Sequence, residues 1–177
     1  MTSREADGPR RVDLRARPPQ TPFTERLALG SVRYLEAVSM GWYRAAARSV
    51  GGSIYGAPVL LLTASGRVTG RRRTKPLLSL EDDDGWVVVG SRGGMAGHPE
   101  WYLNLLAYEA DPEAPHLEPP EVEVSGRPPV PVRTTVVEGA ERDRWWEQLV
   151  SVYPRFAAYQ LRAAERVIPV VRLSPRR

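Results

Sequence analysis

The spacing of apolar residues changes at Pro58. Between Thr21 and Arg48, Leu27, Leu35, Val38 and Trp42 fall near one helical face bordered by Tyr34. Arg26, Arg33, Glu36, Arg44 and Arg48 fall elsewhere. Thr21 suits an N-cap, Pro22 the first helical position and Glu25 the first turn, so an amphipathic helix is predicted over 21–50. Gly30 weakens it. The residues before it (1–20) are polar, proline-containing and aperiodic, and are expected to form a disordered tail. "GGSIYGAP", Gly51 to Pro58, ends the helix and is expected to act as a hinge.

After Pro58 the period shortens. "PVLLLT" and "TKPLLSLE" are apolar runs of strand length, and "DDDG" (Asp82–Gly85) is a hairpin signal leading into "WVVVGS". "HPEWYLNLLAY" predicts a short helix opened by Pro99. "EVEVS" and "VPVRTTVV" alternate as strands around Gly126. "ERDRWWEQLVSVY" and "FAAYQLRAAER" predict helices on either side of Pro154, and "VIPVVRL" a final strand. About six short strands with hairpin-type links predict a mainly β protein, a small antiparallel barrel with helices packed outside, over 58–174. The strand–helix alternation of a doubly wound sheet is missing. So are G-x-G-x-x-G and P-loop patterns and any fixed repeat.

Composition narrows the chemistry. The chain has no cysteine, which excludes disulfides, thiolate metal sites and cysteine nucleophiles. Residues 1–22 lack the apolar core of a signal peptide, and the cytoplasm is the expected compartment. A net charge of +4 points to an anionic partner without saying which.

Positive charge is concentrated in the turn between the first two strands, "ASGRVTGRRRTK". Arg67, Arg71, Arg72, Arg73 and Lys75 stand there with Ser65, Thr69 and two glycines, Gly66 and Gly70. Such a turn is either a solvated hairpin tip or an anion site in which backbone N–H groups and arginine forks converge. "GSRGG" (Gly90–Gly94), after the third strand, repeats the formula; alone it also reads as a flexible loop. Trp101, Tyr102, Trp145, Trp146, Tyr153, Phe156 and Tyr159 are mostly core by spacing. Tyr153 and Tyr159 flank a helix break, where a pocket rim would expose their hydroxyls. His98 is expected to cap a helix and His116 to be solvated. No metal-ligand pattern and no nucleophile elbow is present. An anion cradle and an aromatic pocket without acid–base machinery fit a cofactor that carries its own chemistry.

"PVLLLTASGRVTGRRRTKPLLSLEDDDGWVVVGSRGG", "HPEWYLNLLA", "WWEQLVSVYPRFAAYQ" and "IPVVRL", in that order, resemble the deazaflavin-dependent nitroreductase family. The resemblance runs from about Pro58 to Leu173. It implies a split β-barrel, akin to flavin-mononucleotide reductases, in which reduced coenzyme F420 gives a hydride to an electron-poor quinone, enone or nitroaromatic. It places the coenzyme's phosphate and acidic tail against Arg67, Thr69, Arg73 and Lys75, with Val68 among the cofactor-binding positions. Thr74, Pro76, Leu77 and Leu78 would line the cofactor, as would Gly90, Ser91, Arg92, Gly93 and Gly94, with Trp101, Tyr102 and Asn104 beyond. Tyr153, Tyr159 and Ser91 take the catalytic places, and Phe156 and Leu78 the substrate side.

Two positions depart from the family pattern. Val68 stands where members commonly have Lys, with Arg71 or Arg72 as its compensation. Phe156 stands where nitro-reducing members have Tyr. The loop from Glu109 to Pro120 is also longer than usual. An FMN oxidoreductase on the same barrel, and a non-catalytic deazaflavin or polyanion binder, are the alternatives; a nucleic-acid role ranks below both. The helix over 21–50 is expected to pack on the barrel or form a dimer contact, with an anionic membrane surface as its other use.

Overall fold

The computed structural model describes residues 53–54, 57–124 and 127–176, and side chains from Pro58 onward. The expected tail and the helix over 21–50 lie outside the described residues.

Among the described residues, seven strands and three α-helices follow one another: β1 (Ser53–Ile54), β2 (Ala57–Ser65), β3 (Arg72–Asp82), β4 (Gly85–Val89), α1 (Glu100–Ala110), β5 (Glu121–Glu123), β6 (Val130–Val137), α2 (Gly139–Val152), α3 (Arg155–Arg162) and β7 (Val170–Pro175). All pairings are antiparallel, in the order β1-β2-β3-β4-β7-β6-β5, and β5 pairs back onto β2. That last pairing, Leu62 opposite Val122, closes six strands into a barrel. The two-residue β1 adds to the start of β2, so a short pairing lies within the stretch expected to act as a hinge.

The closure is split. Residues 72–78 of β3 pair with β2, and residues 79–82 pair with β4. Ser79 stands opposite Val88, so a longer β4 would set Gly90 beside Leu77 and Ser91 beside Pro76. The chain leaves the sheet at Gly90 instead, where the Gly90 N–H donates to the Pro169 carbonyl at 2.9 Å. One edge of the first half of β3 is thereby left open. Pro76, which lacks an N–H, is tolerated where only one edge is paired.

Successive side chains on a strand point to opposite faces, and here both faces are covered. Trp86 and Val88 join Leu60, Leu62, Leu105, Val132, Val171 and Leu173 in one core. Val87 and Val89 join Val137, Leu149, Phe156, Ile168 and Val170 in a second, under α2 and α3. Double burial is why "WVVV" reads as an unbroken apolar run.

Two expectations at helix ends are corrected. Pro99, not His98, holds the N-cap position of α1, and no side chain caps it. His98 packs instead on the Tyr102 ring, centroids 5.0 Å apart. The helix after Pro154 stops at Arg162, short of Arg166, because the chain turns through Ala164 at φ 53°.

Candidate coenzyme site

The basic turn is bound to its own scaffold. The Gly66 N–H donates to the Arg71 carbonyl (3.0 Å), and the Thr69 and Gly70 N–H groups donate to the Gly66 carbonyl (3.1 and 2.8 Å). Asn104, buried on α1, accepts from the Arg67 N–H at 3.0 Å, and the Ser65 hydroxyl accepts from the Glu118 N–H at 3.1 Å. A cradle of free backbone donors is therefore absent from this turn.

Its arginines divide by partner. The Arg67 side chain is 7% exposed and ion-paired with Glu100. Arg72 is held by Glu118 and Glu121 at 2.8 and 2.6 Å, which removes it as compensation for Val68. Arg71 and Arg73 are exposed, and neither side chain has an ion-pair or hydrogen-bond partner among the described residues. Val68 stands in solvent at the tip, 78% exposed.

The segment after α1 straps this turn. His116 Nε2 lies 3.1 Å from the Arg67 carbonyl oxygen, so the ring expected to be merely solvated is docked while remaining exposed. A Cβ on Gly70, at φ +66°, would sit 2.8 Å from the His116 carbonyl oxygen. Glycine at this position satisfies both the turn and the strap.

On β3 the expected cofactor residues fall on both faces. Thr74, Pro76 and Leu78 share a face with Thr63, whose hydroxyl lies 2.9 Å from that of Thr74. Leu78 packs against the second core beside Tyr153 and Tyr159. Arg73, Lys75 and Leu77 share the other face with Ala64, Leu62 and Leu60. Leu77 and Trp101 pack there against the first core, to which the buried Tyr102 belongs.

The loop at Gly90–Gly94 is built differently. Arg92 and Gly93 take positive φ (48° and 62°), and so does Gly94 (78°). A Cβ on Gly94 would lie 2.5 Å from the Tyr159 carbonyl oxygen, so α3 rests directly on this loop. Nothing lies within 4 Å of the Cβ position of Gly93. Arg162 donates to the Gly93 carbonyl at 3.0 Å. Arg166 reaches the carbonyls of Gly90, Ser91 and Met95. Neither arginine is marked by the sequence, because an Arg in the last turns of a helical stretch looks like any surface charge.

The aromatic group assembles as the spacing required, with one correction. Tyr153 and Tyr159 lie 6.4 Å apart by ring centroid, half-buried, beside the loop. Interaction with the Tyr153 hydroxyl, reinforced by burial, raises the Tyr159 pKa above its ordinary value and keeps that phenol protonated. Phe156 is only 5% exposed, its ring 5.0 Å from Tyr153 and 6.3 Å from Tyr159. It is the floor beneath the tyrosines and belongs to the second core, not to an open pocket wall. Burial, then Arg166, lowers the His98 pKa and keeps the imidazole neutral; its Nδ1 is buried without a partner.

The open edge of β3, the Gly90–Gly94 loop and the tyrosine pair thus form one neighbourhood, with Arg71 and Arg73, unpaired among the described residues, at one end. The family model for F420H(2)-dependent quinone reductase matches residues 36–175. This chain belongs to that family. It is an oxidoreductase that uses reduced coenzyme F420. An F420H(2)-dependent quinone reductase of Mycobacterium tuberculosis is 34% identical over 138 residues, covering 76% of this chain and 85% of that protein. A solved F420-H2 dependent reductase, FDR-A, is 32% identical with a TM-score of 0.54, covering 66% of this chain and 94% of that one. A structure described as a domain-swapped dimer is 28% identical with a TM-score of 0.55, covering 85% and 98%. These likenesses agree with the split barrel and with the expected cofactor.

The donor set suits that coenzyme. Exposed Arg71 and Arg73 match a polyanionic tail, and the open space at Gly93 admits close approach of a ligand. Among the described residues no group of three or more acidic or histidine side chains could hold a metal ion. No described helix is long and apolar enough to cross a membrane.

Proposed function

We propose that this protein reduces quinones, binding the coenzyme along the open edge of β3. The observation that carries this reading is the break in β3 pairing at residue 78, where the glycine loop leaves the sheet and Leu78 shares a core with Tyr153 and Tyr159. At the far end of the open edge stand Arg71 and Arg73, exposed and without a side-chain partner among the described residues. A ligand laid along that edge reaches both faces of the strand. Arg73 and Lys75 then hold the phosphate and acidic tail from one side, helped by Arg71. Leu78 and the Ser91–Gly94 loop bound the ring system from the other.

The bound coenzyme supplies the hydride. The chain's own contribution is placement and hydrogen bonding. Tyr159, its proton held by the raised pKa, offers an O–H donor across the neutral range, and Tyr153 orients it. A hydroxyl aimed at a carbonyl oxygen stabilises the negative charge that builds there. While the hydride adds, a quinone carbonyl needs only such a donor, and the hydroquinone anion it leaves can take its proton from water, which fits a site without a titrating acid–base pair. Ser91 stands at the loop's start as a further hydroxyl. Phe156 keeps the tyrosine pair in place from beneath.

We assign the amphipathic segment 21–50 to a contact between subunits; the domain-swapped neighbour supports a dimer.

The test is anaerobic mixing of protein and reduced coenzyme with a quinone, an enone and a nitroimidazole, alongside titrations with F420 and FMN. Fast oxidation by the quinone and tight binding of F420 alone are expected. Tight FMN binding, or faster turnover with the nitroimidazole than with the quinone, would refute the reading.

A further inference from the structure

Arg166 is half-buried and has no carboxylate partner among the described residues. Burial, then the neighbouring Arg92, lowers its pKa, so this charge sits in an unfavourable place. Carbonyl oxygens surround it. Its Nε and Nη2 donate to Met95 O at 3.1 and 2.7 Å, its Nη1 to Gly90 O at 3.3 Å, and its Nη2 also to Ser91 O at 2.9 Å. The Gly90 and Ser91 carbonyls belong to the loop that opens the split barrel, and Met95 follows it directly.

In a trans peptide the C=O of one residue and the N–H of the next point in opposite directions. No cis peptide occurs among the described residues. Turning the Gly90 and Ser91 carbonyls onto the guanidinium therefore turns the Ser91 and Arg92 N–H groups away from it. Neither N–H has a hydrogen-bond partner among the described residues, whereas the Gly94 and Met95 N–H groups are bonded back to Ser91 and Arg92. The result is two adjacent backbone donors, unpaired among the described residues, on a loop whose opposite side is clamped. Unpaired donors held by a rigid shell behind them are how a protein prepares for an acceptor oxygen.

We propose that Arg166 is a positioning residue that fixes the Ser91 and Arg92 N–H groups as paired donors to an acceptor oxygen of the bound coenzyme. The proposal rests on the coenzyme reading above. Arginine is required over lysine because one planar fork spans three carbonyls, and an ammonium does not reproduce that geometry.

The test compares the dissociation constant for oxidised F420, by fluorescence titration, in wild type, Arg166→Ala, Arg166→Lys and Arg142→Ala. Arg142 is the control for general destabilisation. It too is a half-buried arginine, donating to the Ile168 carbonyl at 3.2 Å, but it does not touch the loop. Both Arg166 variants are expected to bind about tenfold more weakly or worse, since charge-assisted bonds to the loop are lost. Arg142→Ala is expected to melt earlier yet bind within about twofold of wild type. Methylguanidinium should restore part of the affinity of Arg166→Ala, and methylammonium should not. Amide exchange at Ser91 and Arg92 in the ligand-free Arg166→Lys protein reports the orientation without turnover, and should differ from wild type with the rest of the barrel unchanged. If Arg166→Ala does not fold, Arg166→Lys alone decides. Unchanged affinity in the Arg166 variants that fold, an equal loss in Arg142→Ala, or equal rescue by methylammonium overturns the proposal. A wild type that does not bind F420 overturns the coenzyme reading first.

Discussion

The two glycine–arginine loops have nearly the same formula in sequence and opposite constructions in space. The turn at 65–73 is closed on itself: the Gly66, Thr69 and Gly70 N–H groups serve its own carbonyls, Asn104 fastens it to α1, and Glu100 occupies Arg67. The loop at 90–94 is held by Arg162 and Arg166, with the Ser91 and Arg92 N–H groups unpaired among the described residues. Charge on a loop therefore says little until its partners are known. An arginine held by carboxylates or by backbone carbonyls is structure; one with neither remains available to a ligand.

Glycine substitutions should give the largest effects. Gly94→Ala places a Cβ against the Tyr159 backbone at positive φ, and should lower stability by roughly 3 kcal/mol and abolish coenzyme binding. Gly93→Ala has the same sign of φ and open space, so only about 1 kcal/mol is expected. Urea denaturation of the two variants compares them directly. Equal losses would mean that α3 does not rest on the loop.

The arginines sharpen the contrast within the first turn. Arg73→Ala should weaken F420 binding about ten- to a hundredfold and leave the melting temperature near wild type. Arg67→Ala should lower the melting temperature, because it strips Glu100 of its partner and loosens the turn from α1. The reverse assignment of effects would return Arg67 to the ligand.

Phe156→Tyr tests the floor beneath the tyrosines. On a pocket wall the added hydroxyl should raise nitro reduction. Buried at 5% exposure it should instead destabilise by about 1–3 kcal/mol without gain in rate. Single-turnover oxidation of the reduced coenzyme by a nitroimidazole, with a thermal melt, distinguishes the two.

The smallest effect concerns His98. Its pKa is lower folded than unfolded, so the unfolded chain takes up its proton first as pH falls. Its contribution to stability is therefore present above about pH 6.5 and lost as the pH drops below it. His98→Gln should flatten the pH dependence of the melting temperature between about pH 5 and 7. An unchanged profile would show that the ring is not desolvated.

Local patterns carried most of the fold. "PVLLLT", "TKPLLSLE", "DDDG" and "WVVV" specify strands and a hairpin because burial on one or both faces leaves a period that can be counted along the chain. The same holds for α1 and for the aromatic helices either side of Pro154. The family motifs likewise lie in continuous segments, and the cofactor followed from them. What no local pattern holds is the identity of partners far apart in sequence. Glu100 reaching Arg67, Glu118 and Glu121 reaching Arg72, and Arg166 reaching Gly90 and Ser91 join residues that the barrel brings together only when it closes. Closure of β5 on β2, and the departure of the chain at Gly90, decided which arginines are committed, which donors face outward, and that Phe156 is floor and not wall. Charge and size are written at each position; whether a charge is neutralised or a ring is covered depends on the distance to another element, which only the closed barrel sets.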